Sequence, residues 1–187
     1  PFAEPQSEFY YWENEFTSQE LDVIQKNARN VNQEAIIGFE GQRRIDSSFR
    51  STKVGFAIKN QDTEWLYNRL SHVVSSINAK HFSFDLTGFA EPFQLANYTA
   101  EDVGHYDWHQ DSGTSVVRKL SLVLQLTDAS EYEGGNLELY HGNYNIKIKK
   151  QRGLIVVFPS YCFHRVTPVT YGERQSLVSW ICGPKFR

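Results

Sequence analysis

The sequence predicts a mainly β fold with flanking α-helices, an α+β arrangement in which short strands build a sandwich or barrel and helices pack outside it. Apolar residues before residue 80 recur at helical spacing, from about residue 92 they alternate with a period of two, and glycine turns separate the alternating runs. With 187 residues the chain is near the size of one domain and can bury roughly 70% of its unfolded surface. A single domain over residues 1–187 is expected, with helical support at about 15–80 and a strand core at about 90–183.

The elements follow in order. PFAEPQSEFYYW has no basic segment leading into an apolar run, so no targeting signal is expected. Thr17, Ser18, Gln19 and Glu20 read as an N-cap and acidic first turn ahead of Leu21, Val23 and Ile24, which predicts a helix over roughly residues 18 to 30. A second helix is predicted over roughly residues 61 to 80, where Trp65, Leu66, Leu70, Val73, Val74 and Ile77 recur at helical spacing after Asp62 or Thr63 as cap. Residues 39 to 51 hold neither period and read as a mobile loop leading into a strand over 53 to 58.

Beyond residue 92, Phe93 and Leu95 alternate with Gln94 and Ala96, and Leu120, Leu122, Leu124 and Leu126 alternate with Ser121, Val123 and Gln125. The leucine face is expected under the helices, and the Ser/Val/Gln face toward an interior pocket. Gly134-Gly135 separates that strand from residues 137 to 140, Gly142-Asn143 marks a hairpin, and Gly153 precedes a buried run over 154 to 158. A last pair of strands, over 163 to 169 and 174 to 181, is expected to flank a turn at Tyr171-Gly172.

Composition narrows the function classes. Hydrophobic residues are 40% and charged residues 22% of the chain, and no apolar run approaches the ~18 to 20 residues of a spanning helix; no membrane partner is expected. A formal net charge of -3 argues against a broad footprint for phosphate backbones, so nucleic acid is not expected as a partner either. The basic run from Lys147 to Arg152 alternates with Ile146 and Ile148 and reads as the solvated face of a hairpin strand. Cys162 and Cys182 read as buried free thiols in a reducing compartment, which makes a cytoplasmic location the expectation.

Chemistry concentrates in Tyr106-Asp107-Trp108-His109-Gln110-Asp111. On extended backbone, positions i and i+2 project from one face, so His109 and Asp111 can reach one ion together. A lone His-x-Asp is weak evidence, but His164, after a buried strand and the Pro159-Ser160 turn, offers a third ligand. Two imidazoles and one carboxylate on one face of an ion suit non-haem iron(II), and zinc is the alternative. Arg174 favours iron: it shares a strand face with Ser176, Val178 and Trp180, and a guanidinium beside a metal suits a small dicarboxylate chelated at its other end. Trp180 reads equally as pocket wall or core, Trp108 as packing, and His72, His81, His105 and His141 as ordinary histidines.

The segments YTAEDVGHYDWHQDSG, RKLSLVLQLTDASEYEGGNLELY and RGLIVVFPSYCFHRVTPVTYGERQSLVSW, with a looser fit at FRSTKVGFAIK, resemble the Fe(II)- and 2-oxoglutarate-dependent dioxygenases. Within them the likeness is to the prolyl 4-hydroxylase-like branch that includes PKHD-type hydroxylases. The resemblance implies a double-stranded β-helix, or jelly roll, over about 90–183 with the N-terminal helices packed on one sheet. It implies His109, Asp111 and His164 as iron ligands and catalytic residues, Arg174 and Ser176 at the remote carboxylate of 2-oxoglutarate, Tyr98 as a hydrogen-bonding tyrosine and Leu137 as pocket lining. Gln125 stands where some relatives carry a second tyrosine. Fe(II), 2-oxoglutarate and dioxygen are the implied cofactor and cosubstrates, with ascorbate a candidate reductant.

The activity implied is hydroxylation of a C–H bond coupled to decarboxylation of 2-oxoglutarate to succinate, on a proline-containing peptide or protein. A free amino acid or other small metabolite is the alternative substrate, and a non-catalytic jelly-roll binding module the alternative class. Nucleic-acid dealkylation fits less well, because that branch carries an additional arginine near the position of Trp180.

Overall fold

A computed structural model describes residues 8–37, 43–111 and 116–185 of the chain. Helix α1 (Ser18–Arg29) begins where predicted because its first turn is closed reciprocally. The Glu20 amide donates to Thr17 Oγ1 at 3.2 Å, and the Thr17 amide donates to the Glu20 carboxylate at 2.8 Å. Its buried face is Leu21, Ile24 and Ala28.

Helix α2 (Glu64–Ile77) starts at Thr63, but neither Asp62 nor Thr63 caps it through a side chain, which corrects that expectation. The Thr63 hydroxyl donates instead to the Ile58 carbonyl at 2.7 Å, and Asn60 Oδ1 takes the amides of Asp62 and Thr63. Regular helix ends at Ile77, short of residue 80, and a π-helical turn at Asn78–Phe82 is closed by Ser83 at φ 53°.

Fourteen strands are present among the described residues. The first half of the chain supplies β1 (Tyr10–Trp12), β2 (Gln33–Glu34), β3 (Arg50–Ser51), β4 (Lys53–Ala57), β5 (Gly88–Phe89) and β6 (Phe93–Thr99). Then come β7 (His105–His109), β8 (Arg118–Gln125), β9 (Tyr132–Gly134), β10 (Leu137–His141) and β11 (Tyr144–Lys147). The last are β12 (Ile155–Pro159), β13 (His164–Val166) and β14 (Val169–Cys182). The larger sheet runs β1-β12-β8-β14-β6-β4-β2, with β5 and β9 also on β14, and the smaller runs β11-β10-β13-β7-β3. All pairings named for these strands are antiparallel, and the two sheets form a jelly roll.

Period two decides which face of the larger sheet meets which layer. Leu120, Leu122 and Leu124 of β8, with Leu177 and Ile181 of β14, bury against Leu21, Ile24, Leu70 and Val73 of the helices. The opposite face sends Ala96, Tyr98, Val123 and Val156 against Leu137, Leu139 and Val166 of the smaller sheet. Each fully buried Leu or Val stabilises the fold by about 1.5–3 kcal/mol. Pocket and helix layer are therefore on opposite sides of one sheet, as the alternation predicts.

The expected turn at Tyr171-Gly172 is not a hairpin. β13 ends at Val166 in the smaller sheet, Thr167-Pro168 carries the chain across, and β14 runs through Gly172 without reversing. Gly172, at φ 69°, pairs with Tyr132 of β9 just past a register shift between Val169 and Tyr171, and an added Cβ there would collide with the Glu131 carbonyl oxygen. Gly142, at φ 61°, does close the β10–β11 hairpin. Of the segment read as a mobile loop, residues 39 to 42 lie outside the described residues. The rest is not a plain lead-in to one strand: Arg44 bridges Ile37, and Arg50–Ser51 pair with β7 before Lys53 opens β4. Cys162 and Cys182 are buried and free, and among the described residues no helix is long and apolar enough to cross a membrane.

Candidate metal centre

β7 and β13 are neighbours in the smaller sheet, and their register sets His109 directly opposite His164. Asp111 follows two residues after His109, where its amide donates to the Ser160 carbonyl at 2.9 Å. One donor atom from each of the three lies within 4.8 Å of the others, and no other such group of His, Cys, Asp and Glu is present among the described residues. Asp111 Oδ1 is 3.8 Å from His109 Nε2, and its Oδ2 is 3.4 Å from His164 Nε2.

Backbone carbonyls fix the tautomers. His109 Nδ1 lies 2.7 Å from the Asp107 carbonyl and His164 Nδ1 lies 3.0 Å from the Cys162 carbonyl. A carbonyl only accepts, so each Nδ1 carries the proton and each Nε2 turns a lone pair toward Asp111. Rings hold the imidazoles in place: Tyr106 stacks on His109 at 3.4 Å between centroids, and Phe158 packs edge-on to His164 at 4.9 Å. Ser121 donates to Asp111 Oδ2 at 2.6 Å and meets Ser160 Oγ at 3.0 Å, so the carboxylate is anchored from the pocket face of β8.

Electrostatics favour a neutral His109 beside an ionised Asp111. Burial, then the charge of His164, lowers the His109 pKa to about 3, against the opposing pull of Asp111. For Asp111 burial pushes upward, but His164, His109 and the Ser121 hydroxyl outweigh it and hold the carboxyl below its usual range. The Trp180 indole also lies near Asp111 and lowers it, although its Nε1 closes no well-formed hydrogen bond. Trp180 is thus part of the pocket wall, with the Arg118 guanidinium 3.7 Å above its ring and clamped by Glu91 through two 2.7 Å hydrogen bonds.

Arg174 is 2% exposed, although the sequence places it beside the glycine turn at Tyr171-Gly172. It stands opposite Tyr98 in the β14–β6 register, with its guanidinium carbon 5.3 Å from the centre of that ring. One of its nitrogens reaches Ser176 Oγ at 3.3 Å, while its buried Nε has no partner. Arg118, Arg152 and Arg165 each have a carboxylate; Arg174 has none among the described residues. A buried cation without a counter-ion is costly, and the site is matched to an anion. Leu137 is buried beside Tyr98 in the same layer.

Of the predicted site residues, His109, Asp111 and His164 come together in one cluster, and Arg174 meets Tyr98 and Ser176 with Leu137 in the same buried layer as Tyr98. Sequence reasoning missed Ser121 as the anchor of Asp111, although its place on the pocket face of β8 was a usable signal. It also missed Tyr106, and Arg50, which is buried with its guanidinium carbon 4.4 Å from the Tyr106 centroid. Trp108 packs outside the pocket against Tyr140 and Arg165, as expected of a packing residue.

A jelly roll that brings two imidazoles and one carboxylate within reach of one point defines the class of facial-triad metal proteins. Residues 93–182 match the sequence profile of the 2OG-Fe(II) oxygenase superfamily. A PKHD-type hydroxylase of Synechococcus sp. (strain CC9311) is 39% identical over 99 residues, covering 50% of this chain and 45% of the relative. One of Sphingopyxis alaskensis is 31% identical over 110 residues, covering 56% and 50%. The chain thus spans about half the length of these curated relatives. Among solved structures, a Pseudomonas putida prolyl-4-hydroxylase superposes with TM-score 0.74 at 19% identity, over 94% of this chain and 92% of that one. A Trichoplax adhaerens prolyl hydroxylase in complex with a hypoxia inducible factor peptide fragment superposes with TM-score 0.76 at 18% identity, over 94% and 83%. Residues 93–182 thus fall within the 2OG-Fe(II) oxygenase superfamily, and the curated relatives that this chain resembles are of the PKHD type.

Proposed function

We propose that this protein is an Fe(II)/2-oxoglutarate-dependent dioxygenase that hydroxylates a prolyl residue of a peptide or protein. The reading is supported by a His109/Asp111/His164 cluster able to hold one ion, together with a buried arginine lacking a counter-ion in the same jelly roll. Fe(II), with 2-oxoglutarate and dioxygen, supplies the oxidising power for C–H hydroxylation, with succinate and carbon dioxide as the other products.

The residues present fit that group. With Nδ1 of each ring held to a backbone carbonyl, His109 and His164 can offer Nε2 to the ion, and Asp111 contributes one negative charge held in place by Ser121. A divalent ion with one carboxylate keeps a formal charge of +1 and Arg174 adds another, so the pocket balances a dianion. Arg174 and Ser176 would take the carboxylate remote from the metal, with Tyr98 beside them, while Leu137 walls the cavity against water. Support for a peptide substrate comes from the prolyl hydroxylase neighbours, one of which is in complex with a peptide fragment.

The test is aerobic incubation with Fe(II), 2-oxoglutarate and either proline-containing peptides or a pool of free amino acids and metabolites. Succinate and product masses are read by mass spectrometry. Iron-dependent succinate and a peptide heavier by one oxygen are expected, both abolished by His109→Ala or Asp111→Ala. Oxygen appearing only in a free amino acid or metabolite would reassign the substrate, and no iron-dependent succinate with either set would overturn the activity.

A further inference from the structure

Behind Arg174 the pocket is furnished by two side chains with no role so far. Tyr132, on β9 opposite Gly172 of β14, is buried, and its hydroxyl lies against the Arg174 guanidinium. Lys150 Nζ sits 4.2 Å from the centroid of the Tyr132 ring. Among the described residues neither Arg174 nor Lys150 closes an ion pair, although Glu133 is within electrostatic range of Lys150. Two cations and a phenol thus converge where the structure provides no anion.

Local packing makes the convergence specific. A Cβ added at Gly135 would lie 3.1 Å from Arg174 Cδ and 3.2 Å from Tyr132 Cε2, so this glycine, at φ 55°, lets the two side chains close together. Gln125 is committed elsewhere. Its side-chain amide donates to the Lys149 carbonyl, its backbone amide donates to the Leu154 carbonyl at 3.0 Å, and its carbonyl accepts from the Gly153 amide at 2.8 Å. The residue that stands where some relatives carry a second tyrosine therefore holds the backbone segment bearing Lys150. Lys150 is half-buried, unlike its exposed neighbours Lys147 and Lys149, which corrects the solvated-face reading of that run at this residue.

We propose that Tyr132 and Lys150 complete the remote-carboxylate site, Tyr132 as a hydrogen-bond donor and Lys150 as a second cation selecting 2-oxo acids with a far carboxylate. The inference rests on the oxygenase reading above. Burial first, and then the charges of Lys147 and Arg174, lower the Lys150 pKa against the pull of Glu133, and a bound carboxylate would offset the like-charge part of that effect. Gln125 is a positioning residue in this scheme, acting through the carbonyl of Lys149.

The experiment is anaerobic calorimetric titration of Mn(II)-loaded protein with 2-oxoglutarate and, separately, with 2-oxobutyrate, which lacks the far carboxylate. Lys150→Gln should weaken 2-oxoglutarate about two- to fivefold, as expected of one partly exposed charge contact, and should flatten the salt dependence of binding. Binding of 2-oxobutyrate should change by less than about twofold. Tyr132→Phe should show the same selectivity, and Lys150→Arg should restore 2-oxoglutarate affinity. Equal losses for both acids, or no loss in Lys150→Gln while Arg174→Gln abolishes 2-oxoglutarate binding, would overturn the roles of Tyr132 and Lys150 alone. Failure of the wild-type protein to bind 2-oxoglutarate would overturn the oxygenase reading and this inference with it.

Discussion

His109 shows how strongly one side chain can couple the site to the stability of the fold. Its pKa is lowered to about 3, first by burial and then by His164, whereas in the unfolded chain a histidine titrates near ~6.5. Between those values the unfolded state binds a proton that the folded state refuses. Stability therefore rises with pH through that window, and falls as pH drops from about 6.5 toward 3, by up to ~1.4 kcal/mol per pH unit. Asp111 has the same sign but a lower window, because its folded pKa is depressed below the ordinary 3.8 and its contribution is lost only as pH falls through that depressed value. For metal-free protein, urea midpoints at pH ~7, ~6 and ~5 should decline steadily, and the decline should shrink in His109→Asn. An unchanged decline in that variant would assign the acid sensitivity to other groups. Spacing pointed to the His109/Asp111 pair and the turn after a buried strand to His164, although β7 ends at His109 and Asp111 lies beyond it; the tautomers were not readable, because they depend on the carbonyls of Asp107 and Cys162.

At the scale of elements, the most legible strand was β8, since each of its faces has a chemically distinct partner: leucines under the helices, Ser121 and Val123 toward the pocket. The same logic failed at Tyr171-Gly172. A glycine with positive φ serves a hairpin and a bulge equally, and only the partner strand distinguishes them. Gly142 and Gly172 share nearly the same φ, 61° and 69°, yet a Cβ meets nothing within 4 Å at Gly142 and the Glu131 carbonyl oxygen at Gly172. Gly142→Asn should therefore stay within ~0.5 kcal/mol of wild type, because Asn tolerates the left-handed region. Gly172→Asn should cost about 1–3 kcal/mol by forcing β9 off β14. Similar urea midpoints for the two variants would mean that the close approach of Gly172 to the Glu131 carbonyl carries no steric constraint. The start of α2 was misread for a related reason: Asp62 and Thr63 have cap chemistry, but Asn60 reaches the amides first.

For the molecule as a whole, the match to the superfamily profile begins at Phe93 and contains every residue of the candidate site, while α1 and α2 lie outside it. The helices are nonetheless bound to the site through the larger sheet. Leu120, Leu122 and Leu124 of β8 and Leu177 of β14 bury against the helices, and the alternate residues Ser121, Val123, Arg174 and Ser176 form the pocket. Losing the helix layer would expose one face of the strands that position Asp111 and Arg174, so neither layer has a complete core without the other. Helical support and strand core should unfold in one cooperative transition. Far-ultraviolet circular dichroism, which follows the helices, and fluorescence, to which Trp65 beside the helix layer and Trp180 beside Asp111 contribute, should give coincident midpoints in urea. A metal ion that binds the His/Asp/His cluster should raise both midpoints together. Separate transitions, with only the later one responding to metal, would show instead that the helical support and the jelly roll are energetically independent units.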